Sequence, residues 1–337
     1  MPDTRIIAII GATGQQGGGL ARAILADPGT GFAARALTRN PGSERARALA
    51  ALGADVVEAD LDDEASLRAA FDGAYGAYVV TDYFAAIVPD VPACSPQEAA
   101  RNRAQRELAQ AANAARAARD TGIRHAIWST AEDTRPHFNR TGSDIPRTEG
   151  GFATPHLDAK SEANAFFTEL QVPTTFLQTA YYYESLIGGL LTRDPRGEPV
   201  LSLPLADSRL ALIGAEDIGR TALTILRHPD DFIGRKVSVA GAHSSGEELA
   251  AMISEVAGEK VHYRPFTWEQ FRSLPFPTAV TAANAFQYFA ETQEDLLSRY
   301  DLNESRRINP QMVSLDEWLR AHRSSLLPGC RLTRPEH

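Results

Sequence analysis

The stretch Arg5-Ile6-Ile7-Ala8-Ile9-Ile10-Gly11-Ala12-Thr13-Gly14-Gln15-Gln16-Gly17 reads as a short apolar strand, a glycine-rich turn and the opening of a helix. Glycine suits each step of such a turn. It accepts the tight backbone, lets the chain approach a pyrophosphate closely, and allows the helix to lie against the strand, while the N–H groups at the helix start face the phosphates. A glycine triplet alone is a weak signal, because glycine also simply ends strands. Between the first strand and first helix of a βαβ pattern it predicts a dinucleotide site formed by Gly11, Ala12, Thr13, Gly14, Gln15, Gln16 and Gly17.

Outward from this stretch, short apolar runs alternate with helical patterns. Strands are expected at Arg5–Ile10, Ala33–Thr38, Ala54–Glu58, Ala74–Thr81, Ile123–Ser129 and Thr174–Gln178. Helices are expected at Gly17–Ala26, from Ser43 to Leu52, Ala65–Phe71, Pro96–Asp120 and His156–Leu170. This order predicts an α/β fold, a Rossmann-type doubly wound parallel sheet whose strands read as continuous apolar runs because helices cover both faces. Between Thr130 and Pro155 no periodicity holds. Beyond residue 182 short strands are interspersed among helices.

Composition narrows the class. The chain of 337 residues is 43% hydrophobic and 23% charged, ordinary for a globular protein. Its net charge of −9, with dispersed basic residues, disfavours direct nucleic-acid binding or an anionic membrane surface. The first apolar run is too short for a signal segment or a membrane span. Two distant cysteines, Cys94 and Cys330, form neither a disulfide framework nor a thiolate zinc site, and the eight histidines contain no HxH or HExxH pair. A reducing, cytoplasmic setting and no metal are therefore expected, and the tripeptides at Asn139 and Asn303 are read as chance.

The second strand closes on Leu37-Thr38-Arg39-Asn40, where an NAD site of this type carries an acid for the ribose diol. A carboxylate would repel a 2′-phosphate, whereas Arg39 can grip one bidentately, so NADP(H) is the expected cofactor. Asp60 and Leu61, ending the third strand, are placed to contact the adenine edge, although helix capping would equally explain the aspartate.

With these residues in view, the chain resembles the NmrA-like family of atypical short-chain dehydrogenases, and within it the HSCARG-type NADPH sensor proteins. The likeness rests on GATGQQGG at 11–18, LTRNP at 37–41, GAYGAYVVTDYF at 73–84, HLDAKSEANAFF at 156–167, YYES at 182–185, LSLP at 201–204, AEDIG at 215–219 and LDEWL at 315–319. It implies a Rossmann domain over 1–181 and a smaller α/β lobe over 182–337, of which about 210–228 packs back on the first domain. It further implies NADP(H) contacts from Thr13, Gly14, Gln15, Gln16, Arg39, Asp60, Thr81, Asp82, Tyr83 and Lys160, and a protein that regulates a partner according to redox state. Two positions depart from the family pattern. Asp82 replaces an amide, and Gln178-Thr179-Ala180 replaces an Arg/Pro-containing turn.

A working short-chain dehydrogenase needs Tyr and Lys one helical turn apart, the ammonium lowering the phenol's pKa while holding the ribose. This chain has three lysines, Lys160, Lys236 and Lys260, and none follows a tyrosine by four. Lys160 follows His156 instead. That pattern favours a cofactor-responsive regulatory protein, acting on a protein partner or through a homodimer, without efficient turnover. The rival is an NAD(P)H-dependent reductase of a small carbonyl or quinone, with His156, whose unperturbed pKa is ~6.5, or a tyrosine such as Tyr182 from the run Tyr181–Tyr183 as proton donor. Asp217 is expected only to cap a helix. The segments Asp82–Ser95 and Thr130–Pro155 leave the carboxyl edge of the sheet and are expected to order over the cofactor.

Overall fold

The computed structural model describes residues 4–85, 95–148, 150–187 and 189–327. Its centre is β1 (Arg5–Ile10), whose Ile7, Ala8 and Ile9 are wholly buried. This strand pairs in parallel with β2 (Phe32–Thr38) on one side, Ile7 opposite Ala34, and with β4 (Gly76–Val79) on the other, Ile7 opposite Gly76. β3 (Asp55–Glu58) continues outward from β2, while β5 (His125–Thr130) and β6 (Thr174–Thr179) continue from β4. The strand Lys236–Val239 completes a seven-stranded sheet beyond β6. The order reverses between β1 and β4, so chain segments leaving their carboxyl ends diverge and open a crevice there.

Local chemistry explains the helices. Ser43 accepts from Ala46 N–H to start α2 (Glu44–Ala51), and Asp63 accepts from Ala65 and Ser66 N–H to start α3 (Glu64–Phe71). α4 (Pro96–Asp120) begins on Ser95, whose hydroxyl accepts from Glu98 N–H. Its buried stripe runs Ala100, Ala104, Glu107, Ala111, Ala114 and Ala118, alternate steps of four and three on one face. The alanines let it lie close to a core of Ala77, Val79, Ala126 and Trp128. The glutamate in this stripe is the exception that the site explains.

Several expectations are corrected. The first helix, α1 (Gln15–Ala26), starts two residues earlier than the periodicity suggests. The stretch Thr130–Pro155 is not uniformly irregular, since it contains α5 (Arg135–Thr141). The helix expected over His156–Leu170 is two, α6 (Pro155–Glu162) and α7 (Asn164–Glu169), joined at Ala163, where Phe166 N–H reaches back three residues to Ala163 O at 3.1 Å. Residues 86–94 of the expected ordering segment lie outside the described residues.

The chain forms two units, each built from separated segments. The first comprises the described residues up to Pro136 together with Arg147–Thr179 and Glu216–Val237; the second comprises His137–Pro146, Ala180–Ala215 and the described residues from Ser238 onward. Within the first unit Gly219 lies against α1, and a Cβ there would stand 2.1 Å from the Gly19 carbonyl carbon. The second unit has its own core, including Leu203, Leu212, Leu249, Ile253 and Trp318. Among the described residues no helix is long and apolar enough to cross a membrane, and no group of acidic, histidine and cysteine side chains is disposed to hold a metal.

Candidate functional site

At the carboxyl end of β1 the turn is built around Gly11, whose φ of +67° is left-handed and whose Cβ, if present, would stand 3.0 Å from Val80 Cγ1. Gly14 N–H closes the turn on Gly11 O at 2.8 Å and Gly14 occupies the N-cap of α1 without any side-chain cap. No acidic residue lies in the first turn, so the positive end of the helix is neither capped nor neutralised by side chains. Gly17 brings helix to strand, because a Cβ there would stand 2.6 Å from Gly11 O. Ala12 is buried, Thr13 half-buried, Gln15 exposed, and Gln16 accepts from the buried Tyr78 hydroxyl.

The next strand ends add charge. Arg39 is exposed just past β2 and, among the described residues, makes no ion pair. Past β3, Asp60 Oδ1 accepts from Asp62 N–H at 3.0 Å, and Leu61 O accepts from Asn113 Nδ2 at 2.9 Å. Arg106 binds Asp62, its Nε 3.1 Å from Oδ2, and this hydrogen bond holds the Asp62 carboxyl below its usual range, Arg39 adding to the effect.

The end of β4 is different in kind. Lys160, on α6, places its ammonium 2.7 Å from Thr81 O, 2.7 Å from Thr81 Oγ1 and 2.7 Å from Glu107 Oε1. The Thr81 hydroxyl in turn donates to Glu107 Oε1 at 2.6 Å. The ammonium thus donates two hydrogen bonds to Thr81 and forms an ion pair with Glu107, all inside the protein. Glu107 is 3% exposed and the Lys160 side chain 15%. Sequence reasoning missed Glu107; the signal was present, since it is the one carboxylate on the alanine stripe of α4.

The neighbours of this cluster are similarly committed. Tyr83 is buried, its hydroxyl donating to Ala100 O at 3.3 Å with the Arg103 guanidinium 5.0 Å from its ring centroid, while Asp82 is exposed and accepts from Phe84 N–H at 2.9 Å. His156 lies half-buried against Tyr83 and Phe84, with ring centroids 5.9 and 5.4 Å away. Burial, with the Lys160 charge, pushes its pKa down to about 3, so the neutral imidazole is favoured even well below pH 6.5.

A second buried carboxylate was also missed. Asp158 Oδ1 accepts from Thr134 N–H at 2.9 Å, Thr134 Oγ1 at 2.8 Å and Thr154 Oγ1 at 3.2 Å, and its Oδ2 from Ala153 and Thr154 N–H at 2.8 and 2.9 Å. It ties both ends of the stretch between β5 and α6 to one side chain. Tyr182 and its neighbours belong to the second unit. Tyr181 and Tyr182 pair with Leu212 and Ile213, Tyr183 is wholly buried beside Trp318, and burial pushes the Tyr181 hydroxyl up to about 12. Asp217 lies in the first turn of the helix Ala215–Arg227, and Ala215 N–H donates to Glu184 at 3.1 Å. Gln178 is buried and donates through Nε2 to Ala131 O at 3.0 Å.

Comparison with known proteins places this arrangement. The NmrA-like family model matches residues 3–319. The chain belongs to the NmrA-like family. It is 28% identical over 314 residues to an NmrA-like family domain-containing oxidoreductase of Cladobotryum sp, covering 85% of this chain and 87% of that one. Among solved structures it is similar to NmrA, a negative transcriptional regulator, in complex with NADP (20% identity, TM-score 0.71, covering 94% of this chain and 95% of that one). It is also similar to an NADPH-dependent quinone oxidoreductase of Escherichia coli complexed with NADPH (20% identity, TM-score 0.67, 94% and 98%). NmrA is also known in complex with NAD. These likenesses establish the shared fold.

Proposed function

We propose that the carboxyl edge of the large sheet binds a nicotinamide dinucleotide, NADP(H) in preference to NAD(H), and that the protein acts as a cofactor-responsive regulator without efficient turnover. The cradle fits the group. The α1 N-terminus lacks a side-chain cap, Gly11 holds the left-handed turn, Gly17 lets α1 lie against β1, and Arg39 is exposed where a 2′-phosphate would lie. Gly11, Thr13 and Gln15 would flank the pyrophosphate, and Asp60 with Leu61 the adenine. When bound, the group supplies a hydride donor or acceptor. The observation that carries the regulatory reading is the state of the α6 pair: Lys160 is bonded to Thr81 and ion-paired with the buried Glu107, and a neutral imidazole stands one turn away where a reductase would have a phenol. The regulated object would be a protein partner or a second copy of this chain in the cytoplasm.

A second reading is a reductase of a small carbonyl or quinone. It is favoured by the name oxidoreductase carried by curated relatives that span most of this chain. Calorimetric titration with NADPH and NADH, followed by an NADPH-oxidation screen against ketones, aldehydes and quinones, separates the two. The regulatory reading expects NADPH binding with oxidation near background. Turnover approaching the enzymatic median of ~10 per second would give the function to the reductase.

A further inference from the structure

Lys160 stands where a ribose-binding lysine is expected, and its ammonium is occupied. It donates to Thr81 O and Thr81 Oγ1 and is ion-paired with Glu107 Oε1, each 2.7 Å away. A ribose hydroxyl that draws on this lysine would compete with these partners for the same ammonium. Displacing Glu107 would leave a buried carboxylate without its counter-ion, and burial makes that separation costly. The other Glu107 oxygen, Oε2, is itself buried without a hydrogen-bond partner among the described residues, so the carboxylate depends on what reaches Oε1.

We propose that Glu107 is a positioning residue that withholds Lys160 from the dinucleotide, so that cofactor affinity is set by competition between the buried carboxylate and the ribose for one ammonium. This inference rests on the dinucleotide reading of the preceding subsection. It assigns the glutamate on the α4 alanine stripe a function that packing does not require, since an alanine would continue the stripe. A sensor gains from such a restraint because weaker binding keeps its occupancy responsive to cofactor concentration instead of saturated.

Two readouts test it. The first needs no cofactor. The chain has three lysines, and Lys236 and Lys260 are exposed, so acetylation by a water-soluble succinimidyl ester, followed by peptide mass spectrometry, gives Lys160 two internal references. Lys160 should react at least tenfold more slowly than either in the unmutated protein, and Glu107→Gln should raise its rate about fivefold. The second is calorimetric titration with NADPH. Glu107→Gln should bind about fivefold more tightly, and the double variant Glu107→Gln with Lys160→Met should lose that gain. Loss of a merely structural contact would not strengthen binding. Glu107→Asp, which keeps the charge but shortens the reach, should move both readouts in the same direction by less, and it decides the matter if the Gln variant does not fold. NADPH binding by the unmutated protein, with Glu107→Gln indistinguishable from it in both readouts, would overturn the proposal. Absence of NADPH binding in every variant would overturn the dinucleotide reading and this inference with it.

Discussion

The two halves of the first unit's carboxyl edge solve opposite problems. Around Gly11–Gly17 and Arg39 the structure leaves polar groups unspent: an N-terminus without a side-chain cap and an arginine without an ion pair among the described residues. Around Thr81, Lys160 and Asp158 it spends nearly everything, two hydrogen bonds and an ion pair on one ammonium and five donors on one carboxylate. An unspent end can gain a ligand without first losing a contact, while a spent end must break something to do so. The contrast teaches that a family motif can keep its residues and lose their availability.

The largest effect expected from breaking this contrast is at the spent end. Asp158→Ala strands buried donors at Thr134, Ala153 and Thr154 and should lower global stability by about 3 to 5 kcal/mol, read by urea denaturation. A loss below about 1 kcal/mol would show that the stretch between β5 and α6 is held by something else.

Acid should act next, and it acts away from the unspent end. Burial pushes the pKa of His125, at the start of β5, from 6.5 down to about 4. Below pH 6.5 the unfolded chain therefore binds a proton that the folded chain refuses, so this contribution is present above 6.5 and is lost as pH falls towards 4. The loss should reach about 3 kcal/mol. His156 adds to the same limb, with its decline extending towards pH 3. Thermal melting across pH 4–7 should show a steep acid limb that His125→Gln makes shallower; an unchanged limb in that variant would reject the assignment.

At the unspent end, Arg39→Ala should cost about 1.5–3 kcal/mol of NADPH affinity, the loss of a charge-assisted bidentate contact, and leave NADH affinity unchanged. Equal affinities of the unmutated protein for the two cofactors would erase the distinction the arginine is asked to make. The smallest effect belongs to His156. Since its imidazole is neutral near pH 7, His156→Ala should change any residual NADPH oxidation by less than about twofold. A pH–rate limb near 6.5 that disappears in this variant would restore His156 as an acid.

Much of the architecture was legible because it depends on local signals. The span of β1, the start of α2 at Ser43 and the full extent of α4 follow from short-range patterning, and so does the glycine turn, whose geometry excludes larger side chains at Gly11 and Gly17. The family, too, was readable from motifs spread along the chain, and its model covers residues 3–319. The assignment of segments 137–146 and 216–237 to their units rests on contacts far apart in sequence, such as Gly219 against Gly19 within the first unit.

Sequence alone determined that this chain builds a doubly wound sheet with a glycine turn at its centre, an arginine after its second strand and no Tyr–Lys pair. Only the tertiary structure decided what the remaining lysine and histidine are able to do. Lys160 is spent because α4 delivers Glu107, 53 positions earlier in the chain, to the same buried point as Thr81. His156 is neutral because burial beside Tyr83 and Phe84, with Lys160 one turn away, disfavours its charge. Residue identity sets which groups can donate a proton or hold a charge, but desolvation and the competition for hydrogen bonds are properties of neighbours in space.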